Sequence, residues 1–113
     1  MKKQAFDKLL ERDGYCLHCG EAQAVAPNHR INRGMGGSKK LDNWANLVIL
    51  CSLLNGQIEA DSRWASMAEF YGWKLRRHQD PLAEPVFDAI AGIWYLLDDD
   101  LGRKVVDGKG NND

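Results

Sequence analysis

Apolar positions along this chain fall into short blocks whose spacing changes from one segment to the next. In residues 2–12, Ala5, Phe6, Leu9 and Leu10 form one stripe at helical spacing, which predicts a helix stopped at Gly14. Residues 15–20 carry Cys16 and Cys19 in a turn. Residues 22–29 predict a short strand, kept at a sheet edge by Pro27 near its end. Gly34, Gly36, Gly37 and Ser38 make residues 33–40 a loop. The clearest strand is 46–50, where Asn46 opens the run Leu47, Val48, Ile49, Leu50, short, apolar and β-branched at its centre.

No residue from 43 to 58 carries a formal charge, so this segment is expected at the buried centre of the fold. Ser52 is the expected N-cap of a helix over 53–60, and Asp61 or Ser62 would cap a second, reaching Tyr71 and ending at Gly72. Gly56 weakens the first by about 1 kcal/mol, so one helix or two stays open. Residues 73–77 predict a strand, and Asp80-Pro81 and Glu84-Pro85 bracket a loop. Residues 93–97 and 104–106 predict a hairpin around 98–102. The polar, glycine-rich residues 107–113 read as a disordered tail.

At 113 residues the chain fits one domain, residues 1–106, of α+β class. A formal net charge of −1 gives no overall pull toward nucleic acid, but the distribution is uneven. Residues 22–41 contain no acid and include Arg30, Arg33, Lys39 and Lys40, which favours phosphate contact by these four. A second basic cluster, Lys74, Arg76, Arg77 and His78, follows Trp73, and acid gathers in Asp98, Asp99 and Asp100. A local basic patch on a near-neutral chain suits contact with a few phosphates better than a broad nucleic-acid footprint. Nothing suggests direct base readout, and the four tryptophans read as packing residues. The first residues lack the apolar core of a secretory signal, and the longest apolar run, 47–51, is too short to cross a bilayer. Three cysteines without an export signal predict a reducing, cytoplasmic setting.

Candidate chemistry concentrates in residues 28–59. Hydrolysis of a phosphodiester needs a base for the attacking water and positive charge on the phosphoryl and departing oxygens. His29, between a strand end and a basic glycine-rich loop, has the intrinsic character for the first task. Asn55 and Glu59, four apart, stack on one helix face and offer two oxygens to one cation. Oxygen ligands with a single carboxylate favour Mg²⁺ or Mn²⁺, loosely held, with the substrate completing the shell. Cys16, Cys19 and Cys51 leave two readings open: a zinc site lacking its fourth ligand, or three small buried apolar groups in a knuckle without metal.

The nine-residue gap from Asn46 to Asn55, the Gly36-Gly37 pair after the histidine and the string Asn46-Leu47-x-x-Leu50-Cys51 resemble the HNH endonucleases, in particular small phage-encoded members. The resemblance spans residues 16–61, with a motif core of 15–61. It implies a ββα-metal, treble-clef-like core with an N-terminal helix and a C-terminal hairpin, and a metal-dependent DNA endonuclease that nicks or cleaves with Mg²⁺, Mn²⁺ or Ni²⁺. By the same resemblance His29 would be the general base, Asn46 would hold the loop and orient His29, and Asn55 would bind metal as in HNN variants. Glu59 would be a further ligand or would support one through water, and Asn28 stands where the family usually has a ligating acid or histidine. Two departures are visible: Asn28 is neutral, and Leu54 stands where a second cysteine is expected after Cys51. The alternatives from other classes are a non-catalytic zinc-knuckle-like nucleic-acid-binding module and an accessory protein that works with phage packaging proteins in the host cytoplasm.

Overall fold

A computed structural model describes residues 2–32 and 39–108, with the side chains of Lys39 and Lys40 left aside. The described residues form three α-helices and two small antiparallel sheets. Helix α1 (Lys3–Asp13) is followed by strand β1 (Val25–His29), two 3₁₀ turns (Lys39–Asp42 and Trp44–Asn46), strand β2 (Leu47–Cys51), and helices α2 (Ser52–Ala60) and α3 (Ser62–Phe70). Strands β3 (Val86–Asp88), β4 (Ile93–Leu97) and β5 (Arg103–Val106) complete the chain. None of the helices is long and apolar enough to cross a membrane.

Strand β2 is buried along its whole length because both of its faces are covered. Alternation sends Leu47 and Ile49 to α1, where they meet Leu9 and, at the margin, Phe6 and Leu10. Val48 and Leu50 face the larger core with Leu54, Ile58, Ala68 and Trp73. One edge of β2 pairs antiparallel with β1, His29 opposite Leu47 and Val25 opposite Cys51. The other edge is closed by side chains at the end of α1. Arg12 donates to the Leu47 carbonyl at 2.6 Å, and the Ile49 amide donates to Asp13 at 2.9 Å. Arg12 also grips Asp13 at 2.7 Å, so this buried charge pair satisfies backbone groups that water cannot reach.

Three expectations are corrected. Cys51, not Ser52, caps α2: its Sγ accepts the Leu54 amide at 3.3 Å. Residues 73–77 are not a strand, because the amides of Trp73 and Lys74 both donate to the Ala68 carbonyl and close the end of α3. The C-terminal unit is a three-stranded sheet, β3 having joined the expected hairpin. Asp61 caps a separate α3 by accepting from the Arg63 amide, so there are two helices. Of the expected disordered tail, residues 109–113 lie outside the described residues.

Candidate functional site

His29 is the last residue of β1, and α2 leaves the end of the neighbouring strand β2. This turn from strand to helix brings Asn55 and Glu59 to the same cleft as Asn28 and His29. The cleft, about 270 Å³, is open to solvent and is also lined by Asn32 and Lys74. An imidazole, a carboxylate, three amide side chains and an ammonium thus share one polar hollow.

The His29 ring is held from the far side of the loop. Its Nε2 lies 2.9 Å from Oδ1 of Asp42, and about a third of the side chain stays exposed. With Nε2–H donated to the carboxylate, the tautomer leaves Nδ1 as the proton acceptor. Asn46 does not bond this ring. Fully buried, it accepts the Ile31 amide at 2.8 Å and donates to the carbonyls of Ile31 at 3.1 Å and Leu41 at 2.8 Å. Two chain segments are tied by one amide: the residues that continue β1, and Leu41 immediately before Asp42. Asn46 therefore acts on His29 through the frame that sets His29 and Asp42 face to face.

Arg30, expected at phosphate, is a correction. It has no exposed surface and donates to five backbone carbonyls: Gly72 at 2.7 Å, Ala45 at 3.0 Å, Pro81 at 3.1 Å, Glu84 at 2.7 Å and Pro85 at 3.4 Å. Burial, with the nearby Arg12 charge, lowers its pKa to about 10. A planar guanidinium with five N–H groups can tie several turns together at once, which no other side chain does. Gly72, one of those partners, has φ 78° and no room for a Cβ, which would run into the Pro85 carbonyl. Arg33 lies outside the described residues, as do the side chains of Lys39 and Lys40.

Among the described residues, the cation that reaches the cleft is Lys74. Its Nζ donates to Asn28 Oδ1 at 3.0 Å, to the His29 carbonyl at 3.0 Å and to Asn32 Oδ1 at 3.3 Å. Burial lowers the Lys74 pKa, and the charge of Glu59 works against that shift. Asn28, placed by resemblance as a metal ligand, is nearly fully buried with its oxygen turned to this ammonium. Its Nδ2 is left without an acceptor among the described residues. Asp42 and Lys74 are the two residues sequence reasoning missed. Lys74 stood in the second basic cluster, yet nothing local told it apart from Arg76 or Arg77.

A second site lies at the other end of the β1–β2 pair. The ligand atoms of Cys16, Cys19 and Cys51 all lie within 4.8 Å of one another, close enough to hold one metal ion. The knuckle is shaped by Gly20, whose φ of 82° suits glycine and whose amide donates to the Cys16 carbonyl at 2.9 Å. Burial pushes the Cys16 thiol up to about 11. For Cys19, desolvation is outweighed by the Glu21 amide and the thiols of Cys51 and Cys16, and the net shift is downward. His18 packs its ring edge-on against Trp64 and Trp73, and Leu54 turns into the core. Among the described residues no fourth histidine, cysteine or carboxylate joins the three thiols.

Comparison with protein-family models, with curated proteins and with solved structures finds no match.

Proposed function

We propose that this chain is an HNH-like DNA endonuclease, a ββα-metal phosphodiester hydrolase that uses His29 as its general base. The single observation that carries this reading is the common cleft of His29, Asn55, Glu59 and Lys74, with Asp42 fixing the histidine tautomer. The order β1, β2, α2 supports the ββα core, since the base comes from the first strand and the oxygen ligands from the helix.

In this mechanism Nδ1 of His29 removes a proton from water as the water oxygen attacks phosphorus. The new P–O bond forms as the bond to the 3′ oxygen breaks, and that oxygen takes its proton from solvent. Products with a 5′ phosphate and a 3′ hydroxyl follow from the resemblance. The donor set fits a hard cation at one end of the cleft: Asn55 and Glu59 sit one helical turn apart and are uncommitted to Lys74 by any direct bond. Mg²⁺, Mn²⁺ or Ni²⁺ held there supplies Lewis-acid charge to the phosphate and the departing oxygen. Asn46 keeps the frame, and the partner is DNA in the cytoplasm of the cell that makes the protein.

A plasmid-nicking assay with each cation tests this. Wild type is expected to relax supercoiled DNA, and His29→Ala to lose about 10²- to 10⁴-fold in rate while remaining folded. Equal cutting by His29→Ala removes His29 as the base. DNA binding without nicking under every cation would instead favour the non-catalytic binding module, a reading that the neutral Asn28 and its bond to Lys74 support.

A further inference from the structure

We propose that Lys74 is the phosphate-contact residue of the cleft, doing the work that the sequence assigned to Arg30. The inference rests on the nucleic-acid substrate proposed above, and it names the side chain that grips the phosphodiester backbone.

Three observations converge on it. First, the fold delivers Lys74 to the cleft by specific bonds. Arg30 Nε holds the Gly72 carbonyl at 2.7 Å, and the Leu75 amide donates to the Arg30 carbonyl at 2.8 Å. Residues on both sides of Lys74 are thus pinned to the end of β1, next to His29. Second, the ammonium is oriented from behind. Two bonds of 3.0 Å run to Asn28 Oδ1 and the His29 carbonyl, on the strand that carries the base. An ammonium can only donate, so the Asn28 oxygen must face it, even though this leaves the buried Nδ2 without an acceptor among the described residues. A buried donor left unpaired is unfavourable, so the geometry favours placing Lys74 over satisfying Asn28. Third, the remaining ammonium hydrogen has the weakest hold. Its bond of 3.3 Å goes to Asn32, an exposed side chain at the cleft rim. A phosphate oxygen entering the cleft replaces Asn32 as the third acceptor, without disturbing the two bonds that fix the ammonium.

The chemistry fits a phosphodiester in particular. A compact ammonium is a point charge that stabilises a single phosphate oxygen, whereas the guanidinium of Arg30 is fully engaged with carbonyls in the interior. Asn55 and Glu59 line the same cleft as Lys74, so a phosphate bound here shares one hollow with the proposed cation ligands.

The test is binding of a short DNA duplex by the full chain in EDTA, where cleavage plays no part, over a range of salt concentrations. Lys74→Met is expected to weaken binding and to lower the slope of log K against log salt by about 0.9, the loss of one phosphate contact. Arg76→Met and Arg77→Met serve as matched removals of charge at residues that do not line the cleft and are expected to change the slope less. A folded Lys74→Met variant with unchanged affinity and slope overturns the proposal. Lys74→Gln, which keeps a hydrogen-bond donor for Asn28, is read in the same way if the methionine variant does not fold. Amine acetylation of wild type, with and without duplex, gives a check that needs no variant: protection of Lys74 supports the contact, and equal labelling overturns it. Wild type that binds through Lys74 yet nicks under no cation sinks the hydrolase reading and leaves this inference standing.

Discussion

Nε2 of His29 meets Oδ1 of Asp42 at 2.9 Å across thirteen residues of chain, and a proton donated in this pairing leaves Nδ1 as the free acceptor. Asp42→Asn keeps the size of the side chain but can present an N–H to the ring, which favours the opposite tautomer. The expected result is a fall of about 10- to 100-fold in nicking rate, the usual consequence of removing a group that orients a reacting ligand. Duplex affinity should stay within about twofold of wild type, since Asp42 touches no phosphate in the proposed complex. A variant that nicks at the wild-type rate would remove Asp42 from the mechanism.

Arg30→Lys tests the reassignment of the residue expected at phosphate. An ammonium has three donors and cannot reach five carbonyls spread over three chain segments, so several buried acceptors lose their partner. The expected loss of stability is more than about 3 kcal/mol, read as a drop in the urea midpoint. A stable Arg30→Lys protein with weakened DNA binding would restore the original assignment.

These two cases mark where sequence reading reached and where it stopped. Strand β2 could be seen because five consecutive apolar residues need cover on both faces, and α1 because its stripe repeats at 3.6 residues. The pair β4 and β5 was visible from its β-branched and aromatic residues around an acidic turn. Strand β3 escaped notice: three residues beginning after Pro85 are too few to show alternation. The strand expected at 73–77 failed because its first two amides cap α3, a demand set by a neighbouring element. Side-chain fates were harder still. Arg30 is drawn into the interior and Lys74 into the cleft by contacts between residues more than forty apart, and no local pattern encodes them.

The knuckle and the second sheet are joined by Tyr15, whose hydroxyl donates to Asp88 at 2.8 Å. Asp88 is buried and also accepts the amides of Ile90 and Ala91. The hydrogen bond to Asp88, then burial and the Asp88 charge, hold the Tyr15 phenol above its ordinary value. A raised folded pKa means the native state keeps its proton longer than the unfolded chain. The contribution is therefore full below about pH 10 and disappears as pH rises through the raised folded value. Tyr15→Phe is expected to lower stability by about 1 kcal/mol at pH 8, with the gap to wild type closing as pH rises through the raised folded value. A gap that stays constant as the phenol of the folded protein titrates would mean that the stability difference does not come from this proton.

The three thiols decide whether the knuckle is a metal centre or apolar packing. The Sγ atoms of Cys19 and Cys51 lie 3.6 Å apart, Cys16 completes the triangle, and Cys19 is exposed, so an ion could reach the three thiols from solvent. Zn²⁺ is the expected occupant, with Co²⁺ as a visible substitute. Titration with Co²⁺ is expected to produce thiolate-to-metal charge-transfer absorption that Cys19→Ser weakens and Zn²⁺ displaces. Metal at a hundred times its dissociation constant stabilises a fold by about 2.7 kcal/mol. For a chain of this size that raises Tm by roughly 10 °C, and chelation should reverse the rise. An unchanged Tm, with no charge-transfer band, would assign Cys16, Cys19 and Cys51 to packing beneath Leu54 and leave the His29 cleft to function without a structural ion.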